Sequence, residues 1–265
     1  MALVDLVVKR GRLATEKGLL EAGVAIDDGK IVSISKSTRL PRAVRVIDCR
    51  GKIVLPGVID AHVHVFSPGW LRETFRSGTR AAALGGVTTL LDMPSEEPYD
   101  STSLQRFEKK RAIAQRDAYI NFGLYGGEVE ELRHARVIPS LARRGAVAFK
   151  MITGGPGYVA EYVLIEAFRA VRSVDSVAVV HAENQELVDY YARLARERGR
   201  TDPAAFSEFR PSIVEEEAAR RVTLYASLCR NRLHLAHLTS EAGVQVARTA
   251  KAAGVRVTAE TCPHY

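Results

Sequence analysis

A chain of 265 residues with 46% hydrophobic and 26% charged side chains has the balance of an ordinary globular protein, long enough for one large core with or without a small companion. No apolar run approaches the roughly 20 residues that cross a bilayer, and in MALVDLVVKRGRL the charges follow the apolar stretch, the reverse of a signal peptide, so a cytoplasmic location is expected. The net charge of +7 arises in mixed-sign stretches such as FEKKRAIAQRD and YYARLARERGR, which read as solvated helix faces rather than a nucleic-acid surface, and Cys49, Cys229 and Cys262, with no CxxC pair, argue against a disulfide framework or a thiolate zinc site.

Up to about Val54 the chain reads as short strands and turns. LVDLVVKRGRL, AGVAIDDGKIVSIS and AVRVIDCRGKIVL are β-rich, and Asp28-Gly29 marks a hairpin. From Leu55 onward, short apolar strands alternate with helical patterns. The predicted strands are Val58–Val65, Val87–Met93, Tyr119–Leu124, Ala146–Met151, Val177–His181, Leu233–Leu238 and Val255–Thr261. The predicted helices are Leu71–Leu84, Ser101–Arg116, Glu130–Arg144, Val159–Val171, Gln185–Arg198, Ile213–Cys229 and Ser240–Ala253. The predicted class is therefore α/β, a TIM-like (β/α) barrel with seven of its eight strands over residues 55–265, preceded by a β-rich segment, 1–54.

Asp60-Ala61-His62-Val63-His64 places two histidines at i and i+2 of one strand. They share a face, so both imidazoles can reach one metal ion. LPG precedes the strand and SPG follows it, which puts the pair at the strand's C-terminal end, where such barrels carry catalytic groups. Lys150, in GAVAFKMITGG, ends an otherwise apolar strand. Burying an ammonium is costly, which favours the neutral amine, and that form reacts with carbon dioxide to give a carbamate whose two oxygens can bridge two cations. The blander reading is a lysine snorkelling to solvent. His181 ends the strand of VAVVHAEN and His237 that of LHLAHLTS. His234, three residues before His237, is expected on the opposite strand face, so only His237 is assigned to the metal. His264 is left unassigned, and His134 is placed on a helix surface. Strands one, four, five and six would thus deliver His62, His64, Lys150, His181 and His237 to one mouth.

With GKIVLPGVIDAHVHVFSPG, SGTRAAALGGVTTLLDMP, GAVAFK, VHAEN, RPSIVEEEAARR, LAHLTS and TAETCPHY in this order, the sequence resembles the cyclic amidohydrolases, namely allantoinase, dihydropyrimidinase (hydantoinase) and dihydroorotase, from about Val4 to Tyr265. The resemblance implies that residues 1–54 are the N-terminal part of a small β-sandwich. It implies two divalent cations, most often Zn2+, with His62 and His64 on the first, His181 and His237 on the second, and N6-carboxylated Lys150 and a hydroxide bridging them. It implies hydrolysis of a cyclic amide, ureide or imide C–N bond of a small molecule, and assembly as a dimer or tetramer; from charge pattern and hydropathy, no nucleic-acid or membrane partner is expected. The family's proton-transferring aspartate ends an eighth strand and the sequence runs to the seventh, so no catalytic residue is assigned, and a C-terminal truncation with poor activity is expected.

For substrate binding, Phe66 and Ser95 stand where dihydroorotases carry an arginine and an asparagine. Gly155 stands where hydantoinases carry a tyrosine, with Tyr158 as its substitute. The expected reaction is allantoinase- or hydantoinase-like. Dihydroorotase of pyrimidine biosynthesis is the alternative, and a non-catalytic hydantoinase-like scaffold is the alternative of a different class. A mononuclear deaminase would also use HxH, but Lys150 on the fourth strand argues against it.

Overall fold

The computed structural model describes residues 3–66, 73–94, 100–200 and 202–265. The chain divides into two compact units, residues 1–58 and 59–265, four residues later than the change of character in the sequence.

The first unit is a single sheet of β1 (Val4–Thr15), β2 (Gly18–Asp27), β3 (Lys30–Ser35), β4 (Ala43–Asp48) and β5 (Ile53–Val54). Its order is β3-β2-β1-β4, with β5 also on β1. The Asp28-Gly29 hairpin forms as predicted: Asp27 pairs with Lys30, and the two loop residues take φ of 47° and 70°. Both angles are positive, as a two-residue turn matched to strand twist requires. Among the described residues this unit is a single layer. Ile31, Val32 and Ile34 on β3, and Val44 and Val46 on β4, are exposed.

In the second unit seven parallel strands lie in chain order: β6 (Val58–Val63), β7 (Val87–Asp92), β8 (Asn121–Gly126), β9 (Ala146–Ile152), β10 (Val177–His181), β11 (Arg232–Leu235) and β12 (Val257–Ala259). The helices between them are α1 (Phe75–Leu84), α2 (Leu104–Asp117), α3 (Leu132–Arg143), α4 (Glu161–Ser173), α5 (Gln185–Glu197), α6 (Phe206–Phe209), α7 (Ser212–Cys229) and α8 (Glu241–Ala252). This is the incomplete TIM-type barrel that the sequence pattern predicts. Strand alternation sorts its side chains into two layers. Phe149, Met151, Ala178, Val180, Leu233 and Leu235 join the large apolar core that includes buried helix residues, while Ala148, Val179, Ala236, Met93 and Tyr125 form a separate, smaller cluster. No described helix is long and apolar enough to cross a membrane.

Every predicted strand is present; Val177–His181 keeps both its predicted ends, and the others shift at one end or both. The sixth stops at Leu235 rather than Leu238, because His237 takes φ of 37° and breaks the extended ladder. The seventh starts at Val257, since the Val255 N–H is still bonded to the Ala250 carbonyl at the end of α8. Helix starts follow the caps. Ser103, not Ser101, caps α2 by accepting from the Arg106 N–H, and Ser101 bridges to Gly127 instead. Thr74 and Ser77 form a capping box at α1. Asn184 and Ser240 cap α5 and α8.

Candidate functional site

At the C-terminal ends of the strands lies a cavity of about 820 Å³ whose lining includes His62, His64, Lys150, His181, His237 and Glu260. All five side chains expected from the sequence therefore meet in one place. Ring centroids are 5.6 Å apart for His62–His64, 5.3 Å for His62–His237 and 4.8 Å for His181–His237. His181 Nδ1 lies 3.1 Å from His237 Nε2. Lys150 alternates with Phe149 and Met151 of the large core, which leaves it on the cavity side of β9, 3% exposed. Burial pushes its ammonium down to about 8, against the opposing charges of Glu128 and Glu260. Burial, with Lys150, His181 and His62 nearby, pushes His237 down to about 3, so its imidazole is neutral at ordinary pH.

The other expected residues are placed differently. Phe66 is not among the residues lining this cavity; it is 5% exposed and stacked on Phe75 at 4.9 Å. Val65 and Phe66 donate their N–H groups to Asp92, which fixes the loop with the Phe66 ring against the α1 side of the core. Tyr158 is 56% exposed; Gly154, Gly155 and Pro156 line the cavity and Tyr158 does not. Ser95 lies outside the described residues. His264, left unassigned from the sequence, does line the cavity.

The structure corrects the placement of His234. It shares Glu260 with the site: its Nε2 is 3.2 Å from one carboxylate oxygen, while the other oxygen meets His62 Nδ1 and the His237 N–H. The three-residue spacing argument assumed a strand running on to Leu238. With the strand ended at Leu235 and a left-handed turn at His237, the His234 ring and the His237 backbone N–H reach the same carboxylate. Burial alone would raise the Glu260 carboxyl, but bonds to His234 and His62 hold it well below the usual range.

Glu260 was missed from the sequence, although its signal was present in TAETCPHY as an acid just past an apolar strand. Glu183 was missed likewise, two residues after His181 in VHAEN. Its Oε2 binds His181 Nε2 at 2.9 Å, and its Oε1 accepts from Arg210 Nε at 3.0 Å. Tyr125 donates its hydroxyl to the Ala61 carbonyl between Asp60 and His62, and burial pushes that phenol up to about 12, so it stays a donor.

The profile of the amidohydrolase family matches residues 53–261. The chain belongs to the amidohydrolase family. Among its relatives, an allantoinase of Rubrobacter xylanophilus is 38% identical over 100% of this chain, and an L-hydantoinase of Paenarthrobacter aurescens is 34% identical over 99% of it. The solved structure of an L-hydantoinase (dihydropyrimidinase) from Arthrobacter aurescens superposes with a TM-score of 0.92 at 33% identity, over 99% of the chain. This amidohydrolase chain spans 58–59% of the length of these three proteins. Such neighbours favour neither the dihydroorotase alternative nor the non-catalytic scaffold.

The donor set of this amidohydrolase chain fits divalent cations. Among the described residues no three imidazole, thiolate or carboxylate groups already form a cation cage. The fit rests on the chemistry of the donors: imidazoles that converge on one cavity, with His237 held neutral, and a buried lysine between carboxylates. The 3.1 Å between His181 Nδ1 and His237 Nε2 is close to the separation of about 3.3 Å expected for two nitrogens each about 2.0–2.1 Å from one tetrahedral Zn2+.

Proposed function

We propose that this chain carries the two-cation centre of an enzyme that hydrolyses the C–N bond of a cyclic amide or ureide, in the manner of the allantoinases and hydantoinases it resembles. His62 and His64 would hold the first cation, His181 and His237 the second, and Lys150, carboxylated at Nζ, would bridge them. The observation that carries this reading is the buried Lys150 amine in the same cavity as four imidazoles delivered by three other strands. The unprotonated Nζ lone pair adds to the carbon of CO2 and its proton leaves to solvent, which turns a costly buried cation into an anion matched to two dications.

Two divalent cations, Zn2+ by the nitrogen and oxygen character of the donors, would supply an acidic water and a polarised amide carbonyl. The chain's own groups orient the donors. Glu260 engages His62 Nδ1, leaving Nε2 for the centre, and Glu183, itself held by Arg210, engages His181 Nε2, leaving Nδ1 directed at His237. The substrate is a small ring, and a location in the cytoplasm and a dimeric or tetrameric state belong to the same proposal.

Elemental analysis of the purified chain is expected to return two cations per chain; one or none overturns the reading. A panel of allantoin, hydantoins, dihydrouracil and dihydroorotate then tests the substrate, and preferential opening of dihydroorotate refutes the allantoinase- or hydantoinase-like assignment.

A further inference from the structure

His237 carries a Cβ yet sits at φ of 37°, in the left-handed region. A residue is kept there only where its surroundings over-determine it. On one side the restraint is the sheet: the Ala236 N–H donates to the Val180 carbonyl at 3.0 Å, and the Leu238 N–H to the Glu260 carbonyl at 2.8 Å. On the other side it is a single carboxylate from the first turn of α7. Glu215 Oε2 accepts from the Thr239 N–H and hydroxyl, both at 2.9 Å, and its Oε1 accepts from the Ser240 N–H at 3.0 Å and hydroxyl at 2.6 Å.

These four bonds exceed what capping α8 requires, because Ser240 Oγ already accepts from the Gly243 N–H at 3.0 Å. The fit is also specific. A methyl group at Gly243 would collide with Glu215 Oε1, so the missing side chain in α8 makes the room that the carboxylate occupies.

We propose that Glu215 is a positioning residue for the candidate centre. It clamps the chain just after His237, and so holds that imidazole in its left-handed setting, 3.1 Å from His181. The inference deepens the two-cation reading and rests on it for its consequence, which is that Glu215 governs the His181–His237 half and leaves the His62–His64 half alone.

Three variants of the full chain test it. E215A removes all four acceptor contacts. E215Q replaces one carboxylate oxygen with an amide donor, which cannot accept from donors. G243A deletes no donor or acceptor but displaces the carboxylate, and by helix propensity alone it should make α8 more stable. Cation-free protein titrated with Co2+ is expected to show the second binding step weakened about 10–100-fold in all three variants, with an altered visible spectrum, while the first step is unchanged. S240A, which removes the capping hydroxyl but keeps Thr239 on Glu215, should lower the melting temperature and leave the Co2+ spectrum as in the parent chain. Wild-type affinity and spectrum in both E215Q and G243A would overturn the proposal and leave Glu215 a mere anchor of α8.

Should the parent chain bind fewer than two cations, the two-cation reading fails by itself. The positioning role is then decided by the crystal structure of cation-free G243A. Movement of His237 away from His181 supports the clamp, and an unmoved His237 overturns it.

Discussion

His62 and His64 leave β6 through a loop whose next two N–H groups, from Val65 and Phe66, bind Asp92. That carboxylate is paired with Lys110 at 2.7 Å, and both side chains are 0% exposed. Lys110 also donates to the Met93 carbonyl at 2.6 Å, so one α2 side chain ties the end of β7 to the loop after β6. On the other side of the mouth, the His181–His237 pair is held by carboxylates nearer to water. Glu183 is 15% exposed and its Arg210 partner 33%. The segment after the first histidine pair is fixed from the dry core, and the second pair from the rim. A buried charge pair tolerates no missing member, because the survivor is stranded without solvent, whereas a rim anchor can be replaced in part by water. The first half should therefore be coupled to folding and the second to affinity.

The largest effect expected from that contrast is on D92A. Losing the carboxylate removes the buried ion pair with Lys110 and the acceptor of the Val65 and Phe66 N–H groups, at a cost of about 3–5 kcal/mol in urea unfolding. Unchanged stability with weakened cation binding would erase the distinction between the two halves. Next comes K150M, expected to abolish two-cation stoichiometry by elemental analysis while leaving the urea midpoint no lower, since it removes an ammonium that burial disfavours. A marked loss of stability would instead make Lys150 a structural cation. E260Q should weaken cation binding about 10–100-fold by isothermal titration, because the carboxylate contacts both His62 and the His237 N–H and so touches both halves. Binding at the parent affinity would remove Glu260 from the centre. The smallest change is expected for R210K, which loses the Nε donor to Glu183 at a partly exposed position. Its effect should be about 1 kcal/mol or less in the second binding step, with no change in unfolding. An unfolding defect there would put the rim on the same footing as the core.

Much of this architecture was legible in the sequence for simple reasons. A period of two on a strand puts His62 and His64 on one side, and the apolar run around Lys150 marks it as buried. Glycine turns and capping serines bound the βα units, although Ser101 and Ser103 are equivalent as letters, and only the bridge from Ser101 to Gly127 decides which one caps α2. What stayed hidden depends on contacts between distant parts of the chain. Nothing in LHLAHLTS announces that a histidine, rather than a glycine or asparagine, takes the left-handed turn. Periodicity therefore carried the strand three residues too far and sent His234 to the wrong face. Glu215 looks like an ordinary surface acid until the fold brings its partners to it, and the strand-end positions of Glu183 and Glu260 do not by themselves name the histidines they meet. Phe66 was considered as a substrate contact because it follows the histidine pair, but the two N–H bonds to Asp92 commit that segment to the core.

The contact between His62 and Glu260 joins residues 198 positions apart. Closing so long a span is entropically expensive and is a late event in any folding sequence governed by contact separation. As the ribosome delivers the chain from its N-terminus, the HxH strand emerges first and waits, its Nδ1 without a carboxylate, through six further βα strands. Metal loading should therefore follow folding rather than guide it, and a nascent chain halted before residue 260 should bind cations more weakly than one that has passed it.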